Sequence, residues 1–338
     1  MKKKKRLIAV LLAAATVSSV AFAYAGCDSL SVHAHDFKDG TCSKCGIDYV
    51  PTEGLKYTLN KDGTSYSVSK GTAEGKDIII ASEYKGLPVT SVGFNAFNDC
   101  SDINSITIPD SVTNIEGNAF SECRNLKSIN IPDSVTSISD TALYGCIRLK
   151  YNVYSNVNYL GNETNKYTLL VKSKNLNLNS YEIYENTKII YGYAFYRCGN
   201  LESLTVPDGV ISIGGDACSS CSNIKNITIP DSVTSIGGGT FRNCTNLSSI
   251  TLPNKITNID SYTFDGCSGL TDLTLSKNVT SIFGYAFNGC ISLSKINYSG
   301  TKSYWKSIKK DDTWNENTGN YIVSCSDGKM NKKGNSIQ

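Results

Sequence analysis

Apolar residues recur along this chain in one fixed pattern. Alternating apolar and polar positions are followed by a proline turn, a second apolar run, and a phenylalanine or leucine three positions before a cysteine. One copy runs from Leu126 to Cys146 and another from Ile224 to Cys244. The alternation predicts a short β-strand with one buried face, which proline ends because it lacks a backbone donor. The second run predicts another short strand, and Ala-Phe-x-x-Cys predicts a single helical turn with the ring inside.

Cysteine marks the length of this pattern. Within two blocks, eight cysteines stand 23 residues apart: Cys100, Cys123, Cys146, and then Cys198, Cys221, Cys244, Cys267, Cys290. One such unit cannot bury its own apolar side, so the period predicts a solenoid of stacked coils, about nine of them over residues 86–298. At a buried position a thiol packs as a small apolar group, and we expect most of these cysteines to be reduced. A coil spacing of about 5 Å would also permit disulfides between neighbours.

Both ends of the repeat region predict caps for the exposed core. Apolar segments at 55–59 and 65–68 flank a glycine-containing loop and predict a hairpin over the first coil. Residues 302–309 place Trp305 and Ile308 three apart, which predicts a short amphipathic helix over the last coil.

One interval interrupts the period. Between Cys146 and Cys198, a segment rich in Tyr and Asn at 151–184 lacks the Pro-Asp turn. Two interpretations stay open. The segment is either a divergent pair of coils with a hairpin bulging from one edge, or a recognition loop, because tyrosine offers contact area at low entropic cost.

The repeat unit carries a family resemblance. Ile-Thr-Ile-Pro-Asp-Ser-Val-Thr-Ser-Ile at 227–236, together with the Ala-Phe-x-x-Cys and Leu-x-x-Ile elements of other coils, resembles the BspA-like leucine-rich repeats of bacterial surface and secreted proteins. The resemblance covers 55–327, with Cys218 standing where phenylalanine is expected. It implies a leucine-rich-repeat solenoid that is β-rich, with right-handed stacked coils, a hairpin N-cap and a helical C-cap. It also implies non-catalytic binding to host or neighbouring-cell proteins, often components of the extracellular matrix.

The N-terminus predicts export. Five basic residues precede an apolar stretch at 7–23, which is typical of a signal peptide. The sequence fits cleavage before Gly26, and it also resembles a lipoprotein box in which Cys27 is lipidated and tethers the protein to a membrane. Five segments follow from these patterns: a signal peptide at 1–26, a Cys/His segment at 27–50, an N-terminal cap at 51–85, the solenoid at 86–298, and a C-terminal cap and tail at 299–338.

Charge argues against a nucleic-acid partner. The whole chain has 33 basic and 30 acidic residues. Loss of the five basic leader residues leaves 28 against 30, a net charge of −2. No basic stripe with interleaved aromatic residues then remains. We expect an extracellular protein or glycan as the partner, with host matrix among the candidates, and membrane contact only through a lipid at Cys27.

A metal-ligand pattern lies in the Cys/His segment. His33, His35, Cys42 and Cys45 stand within thirteen residues and supply the four ligands of a tetrahedral zinc site. The alternative is a linker whose cysteines are free or disulfide-bonded. A site filled by four protein ligands has no open position, so the predicted cofactor is one structural zinc without a catalytic role.

Outward strand positions and the insert are the predicted contact sites. They are Lys127, Asn130, Lys225, Thr228, Thr251, Tyr154, Tyr159 and Tyr167. An adhesive role at the cell surface fits these features, and a structural spacer of the envelope is the alternative. An enzyme is disfavoured because the repeats contain no histidine for Ser-His or Cys-His chemistry. Calcium on the aspartates that follow proline is a weaker alternative, because aspartate suits such turns by itself.

The zinc site is testable by mass. Native intact-mass analysis of the purified protein should show one bound zinc, because four soft and borderline ligands close a structural site. Changing Cys42→Ser and Cys45→Ser together should abolish the extra mass. A wild-type protein purified without zinc would refute the site.

Overall fold

The computed structural model describes residues 37–38, 41–42 and 49–337. The predicted signal peptide, Cys27, His33, His35 and Cys45 lie outside these residues. Within them, no helix is long and apolar enough to cross a membrane.

Short strands joined by turns make up the N-terminal part. They are β1 (Phe37–Lys38), β2 (Thr41–Cys42), β3 (Lys56–Leu59), β4 (Tyr66–Ser69), β5 (Asp77–Ile79), β6 (Glu83–Tyr84), β7 (Leu87–Val92), β8 (Ser105–Thr107), β9 (Asn114–Ile115), β10 (Ser128–Ile129) and β11 (Ser137–Ile138). The insert adds β12 (Asn152–Tyr154), β13 (Val157–Leu160) and β14 (Leu169–Ser173).

The C-terminal part repeats the same strand pattern and contains one helix. Its elements are β15 (Ile189–Ile190), β16 (Ser203–Thr205), β17 (Ser212–Ile213), β18 (Asn226–Thr228), β19 (Ser235–Ile236), β20 (Ser249–Thr251), β21 (Asn258–Ile259), β22 (Asp272–Leu275), β23 (Ser281–Ile282), β24 (Lys295–Tyr298), α1 (Lys302–Ser307), β25 (Lys309–Lys310), β26 (Ile322–Cys325), β27 (Gly328–Asn331) and β28 (Ser336–Ile337).

Strands of successive coils lie side by side in two columns. The first-strand column comprises β5, β8, β10, β16, β18, β20, β22, β24 and β26, and the second-strand column comprises β4, β7, β9, β11, β15, β17, β19, β21, β23 and β25. Paired neighbours within each column are parallel, and in regular coils they are offset by 23 residues, as in Ser105↔Ser128 and Asn114↔Ser137. The predicted strands and the 23-residue period are therefore confirmed.

The predicted helical turn before each cysteine is wrong. Asn95 and Asp99 adopt left-handed backbone, with φ of 55° and 57°, which a right-handed helix does not contain. The N–H groups of Asn95, Phe97 and Asp99 instead donate to carbonyls of the next coil, at 2.7 to 2.9 Å. The N–H groups between them close local turns, such as Asn98 N to Asn95 O at 3.2 Å. This segment is thus a third column of hydrogen bonds between coils.

The solenoid is longer than predicted, with about 11 turns. The segments expected to be caps continue the strand columns. β3 and β4 do form an antiparallel hairpin, but β4 pairs in parallel with β7, and β5 pairs with β8. At the other end, β25 and β26 pair in parallel with β23 and β24. The terminal segments therefore add coils, although their sequences depart from the repeat.

Phenylalanine and cysteine fill the centre of the solenoid. Phe241, Phe264 and Phe287 are fully buried, and their rings stack at centroid distances of 5.5 and 5.4 Å. The eight periodic cysteines are buried and free, as expected. These three rings form a stacked column in the C-terminal coils, and Trp314 packs edge-on against the last of them, Phe287, at 5.8 Å.

The insert bonds to its neighbouring coils and contains an antiparallel hairpin, as the first interpretation predicted, but strands β13 and β14 lie inside the solenoid instead of bulging from one edge. β13 and β14 are an antiparallel hairpin that continues in parallel into β15, and both of its faces are buried. Leu169 and Val171 pack with the core of the N-terminal coils, whereas Leu170 packs with the core of the C-terminal coils. The insert is therefore an internal wall between two cores, and its alternating side chains serve one core each.

One carboxylate links the coils before the insert to the coils after it. Asp140, which is half-buried, accepts a hydrogen bond from Gly215 N at 2.8 Å, although 75 residues separate them. A Cβ atom on Gly192 would lie 2.5 Å from Asp140 Cγ, so only glycine permits this approach. Burial raises the pKa of Asp140 above its ordinary value of 3.8, and the nearby Asp216 raises it further, while hydrogen bonds from Gly215 and Gly192 act in the opposite direction.

Truncating the central ring should measure the core. Phe264→Ala removes a ring that is 0% exposed and stacked on both faces, and should lower the free energy of unfolding by about 3–5 kcal/mol. Phe283→Ala is the matched control, because Phe283 is 43% exposed and its loss should change stability by about 0.5 kcal/mol or less. Urea denaturation of both variants checks this. Equal effects would contradict the register given above.

Titration of Asp140 should appear in the pH dependence of stability. Because its pKa is higher in the folded chain than in the unfolded chain, its contribution is greatest at low pH and is lost as the pH rises through the folded pKa. Asn at this position does not titrate. The free energy of unfolding of the wild type minus that of Asp140→Asn should therefore fall from pH 3.5 to pH 7, by about 1.4 kcal/mol for each unit of pKa shift. A constant difference would show that the carboxyl is unperturbed.

Candidate partner-binding face

A line of threonines runs along the outside of the first-strand column. Register pairs Thr205 with Thr228 and Thr251 with Thr274, so four coils place one hydroxyl each in line. Neighbouring side chains such as Leu204 and Ile250 point inward and are buried, because successive residues of a strand face opposite sides. Thr228 and Thr251, both predicted contact residues, are exposed in this line.

The threonine line borders a groove of about 500 Å³, the threonine groove. Its other side is formed by the turns that follow the strands, where Asp231 accepts hydrogen bonds from Asn254 N at 3.1 Å and from Asn254 Nδ2 at 3.4 Å. The lining is Asn226–Ile229, Asp231, Ser249–Asn254, Thr274–Ser276 and Ser299. Hydroxyl and amide groups above an apolar floor can hydrogen-bond either a peptide backbone or sugar hydroxyls.

A second set of threonines differs from the first because its hydroxyls bond to the neighbouring coil. Thr113, Thr136, Thr234 and Thr280 precede the second strands of their coils, and each hydroxyl donates to a carbonyl 23 residues earlier, at 3.1 to 3.3 Å. Those hydroxyls hold neighbouring coils together. Thr228 and Thr251 point to solvent instead, so the repeat uses threonine for two separate purposes.

A smaller pocket of about 310 Å³, the insert pocket, lies beside the insert. Asn130, another predicted contact residue, lines it. The Asn130 side chain accepts from Ile108 N at 2.7 Å and donates to Ile108 O at 2.8 Å. This amide is therefore committed to the neighbouring coil and supplies a fixed wall.

The predicted lysines lie on the surface near these two sites. Lys225 is exposed and pairs with Glu202 at 3.2 Å, with more than half of each side chain in solvent. Such an exposed pair contributes little to stability. Lys127 is half-exposed, and its carbonyl accepts the N–H of Lys150 in the next coil at 3.0 Å.

The tyrosines of the insert pack mainly against one another. Tyr154, Tyr167 and Tyr184 are half-buried, with the rings of Tyr167 and Tyr184 at 4.4 Å, and Tyr154 donates to Glu182 at 2.5 Å. Tyr159 is fully buried, its hydroxyl accepts from Tyr184 N at 3.2 Å, and burial raises its pKa to about 12. The expected partner contact at Tyr159 is therefore absent from this surface, because the ring belongs to the wall between the cores.

The periodic thiols have a role that sequence reasoning missed. Cys123 Sγ donates to Phe97 O and Cys267 Sγ to Phe241 O, each at 3.0 Å and across one coil. Four more of these cysteines make the same bond at 3.1 to 3.2 Å. Burial raises the pKa of Cys146 and Cys290 to about 12, so these two thiols stay protonated and unreactive at neutral pH. The strict period of cysteine, where other small apolar residues would fit, was the available signal.

Metal-binding side chains do not cluster within residues 49–337. Over residues 49–337, no group of three or more metal-binding side chains is found. Of the four predicted zinc ligands, only Cys42 falls among the described residues, in strand β2, which pairs with β1. The zinc site stays a prediction.

Parallel strands in columns, a 23-residue period and a buried Leu/Ile/Phe/Cys core define a β-solenoid of the leucine-rich repeat class. A family model described as the BspA type leucine rich repeat region matches residues 80–187 and 188–309, in 6 copies. The matched segments cover more than half of the sequence. The chain belongs to the BspA-type leucine-rich repeat family, whose members are repeat proteins and generally not enzymes.

Solved bacterial structures are similar to this chain, whereas no curated protein matches it. A leucine-rich cell surface protein of Faecalibacterium prausnitzii is 22% identical, with a TM-score of 0.46, over 78% of this chain and 98% of that protein. The T. pallidum leucine-rich repeat protein is 25% identical, with a TM-score of 0.31, over 72% of this chain and 90% of that one. The pneumococcal vaccine antigen PcpA is 16% identical, with a TM-score of 0.38, over 80% and 98%.

Proposed function

We propose that this chain is an exported protein that adheres to an extracellular protein or glycan through the threonine groove. The observation that carries the proposal is the exposed line of Thr205, Thr228 and Thr251 beside a groove of about 500 Å³. A rigid solenoid holds these hydroxyls at the strand spacing of about 4.8 Å, so binding does not require them to be ordered first.

Display outside the cell rests on the leader and the family. The basic and apolar N-terminus has the composition of a signal peptide, and the BspA-type repeat is a surface-protein repeat. Cys27 offers two outcomes: lipidation would hold the solenoid at a membrane, and cleavage before Gly26 would release it. Either outcome leaves the threonine groove accessible from outside.

Binding fits the chemistry of this face better than catalysis. Both histidines of the chain precede residue 36, so the repeats offer none as a general base. The periodic thiols of the repeats are buried. What the face does offer is repeated hydrogen-bonding groups over several coils, which suits an extended partner.

Charge placed in the threonine groove should weaken adhesion. The purified protein would first be screened against matrix proteins and a glycan array, and the strongest partner would be titrated. Thr228→Lys with Thr251→Lys should weaken that partner at least tenfold, because two ammonium groups occupy the groove. Ser235→Lys with Asn258→Lys is the matched control, because both positions are exposed in the second-strand column of nearby coils. Its affinity should stay within twofold of the wild type.

Two results would contradict the proposal. Equal losses in both variants would indicate a non-specific charge effect, and unchanged binding in the groove variant would move the contact elsewhere. A screen without any partner would favour the alternative of an envelope spacer.

A further inference from the structure

The insert pocket has a different chemistry from the threonine groove. It lies where the loop at 161–166 rises beside β10, and Asn130, Lys150, Asn152, Asn162, Glu163 and Lys166 contribute its polar lining. Its volume of about 310 Å³ is at the lower end of the roughly 300–1,000 Å³ typical of small-ligand sites. The pocket therefore has room for part of a ligand, such as one residue of a longer chain.

The outer wall of this pocket is held rigidly. Asn162 Oδ1 accepts from Asn165 N at 2.8 Å, and Asn162 Nδ2 donates to Ile131 O at 3.1 Å. Asn165 in turn donates to Asp133 at 3.2 Å. A Cβ atom on Gly161 would lie 2.1 Å from Asn165 O, so the loop closes only around glycine. A wall fixed in advance lowers the entropic cost of binding.

The lining of the pocket carries more positive than negative charge. Its charged side chains are Lys150 and Lys166 against Glu163, while Asp133 lies behind the wall and accepts from Asn165. Lys150 and Lys166 are exposed and line the pocket, and Lys172 lies 5.6 Å from the centre of the Tyr151 ring, which also lines it. An acid group is therefore the ligand feature that this local charge favours.

The rest of the lining favours a sugar over a peptide. The aliphatic side chains of the lining, Ile129 and Leu160, are buried, so the pocket offers little exposed apolar surface to anchor a peptide side chain. The Asn130 and Asn162 amides are bonded within the protein. Asn152 Nδ2 donates to Lys166 O at 2.8 Å, and its second hydrogen and its Oδ1, together with the Glu163 carboxylate, offer a donor and acceptors for hydroxyl groups. The same carboxylate would repel a ligand with many acid groups, such as a densely sulfated polymer. A ligand with one carboxylate and several hydroxyl groups therefore fits this lining.

We propose that the insert pocket binds a single acidic sugar residue of an extracellular glycan, a uronic or sialic acid unit. Lys150 and Lys166 pair with its carboxylate. Glu163 accepts hydrogen bonds from its hydroxyls, and Asn152 Nδ2 donates a hydrogen bond to one of them. The inference rests on the proposed extracellular glycan contact, but it names a second site, next to the insert rather than in the threonine groove.

Calorimetric titration of the purified protein tests the pocket directly. The probes are a galacturonic acid trimer, a hyaluronan tetrasaccharide and 3′-sialyllactose, each beside its neutral carboxyl methyl ester. We expect at least one acid to bind, and its methyl ester to bind at least tenfold more weakly. Lys150→Gln with Lys166→Gln should weaken the acid at least tenfold. The control is Lys61→Gln with Lys306→Gln, which removes two exposed lysines elsewhere, and it should stay within twofold.

Several outcomes would overturn the inference. They are no binding of any acid, equal binding of acid and ester, equal losses in both lysine variants, or tighter binding of a glutamate tripeptide than of every sugar acid. Circular dichroism of the lysine variants should match the wild type, because both positions are exposed. Thr228→Lys with Thr251→Lys should bind the acid normally, so a failure of adhesion through the threonine groove is distinguishable from a failure of the insert pocket.

Discussion

Hydrogen bonds that leave each coil for its neighbour are the interaction on which this structure depends. A coil of 23 residues has two strands too short to pair within itself, and its turn segment sends alternate N–H groups outward as well. All three columns therefore satisfy their backbone groups only by stacking, since a buried unpaired N–H or C=O is costly. The terminal segments extend the columns for the same reason: their strands pair with the backbone N–H and C=O groups of the end coil of the regular repeats.

The sequence predicts those parts of the fold in which every coil has the same residue types at the same positions. Proline and β-branched residues mark the strands, and the cysteines fix the register, so a one-residue slip would be visible in every coil. The turn before each cysteine could not be predicted in this way. Its left-handed positions are filled by Asn95, Asp99, Tyr193 and Tyr262, and only Asn and Asp are recognisable as residues that tolerate that backbone. Helical spacing of Ala, Phe and Cys favoured a helix, but hydrogen bonding between coils decided the structure.

The insert was the least predictable part, because its contacts are not repeated. Tyrosine and asparagine are typical of exposed binding loops, so Tyr159 was expected at the surface. In the structure β13 and β14 separate two cores, and a buried tyrosine is tolerated because its hydroxyl finds Tyr184 N. Asp140 shows the same limit. Nothing local to Asp140 indicates a partner at Gly215, since the insert between them determines which coils meet.

The insert also changes what a uniform solenoid can recognise. A regular face presents the same groups in every coil, which suits an extended partner but cannot distinguish one point along it from another. By crossing the column, the insert places a rigid loop, Lys166 and Glu163 beside Lys150 of the preceding coil. That arrangement occurs once among the described residues, because it needs a coil side chain and an insert side chain together. The wall that closes the two cores is thereby also the element that gives one point of the face its own chemistry, so a substitution in this segment changes packing and surface chemistry together.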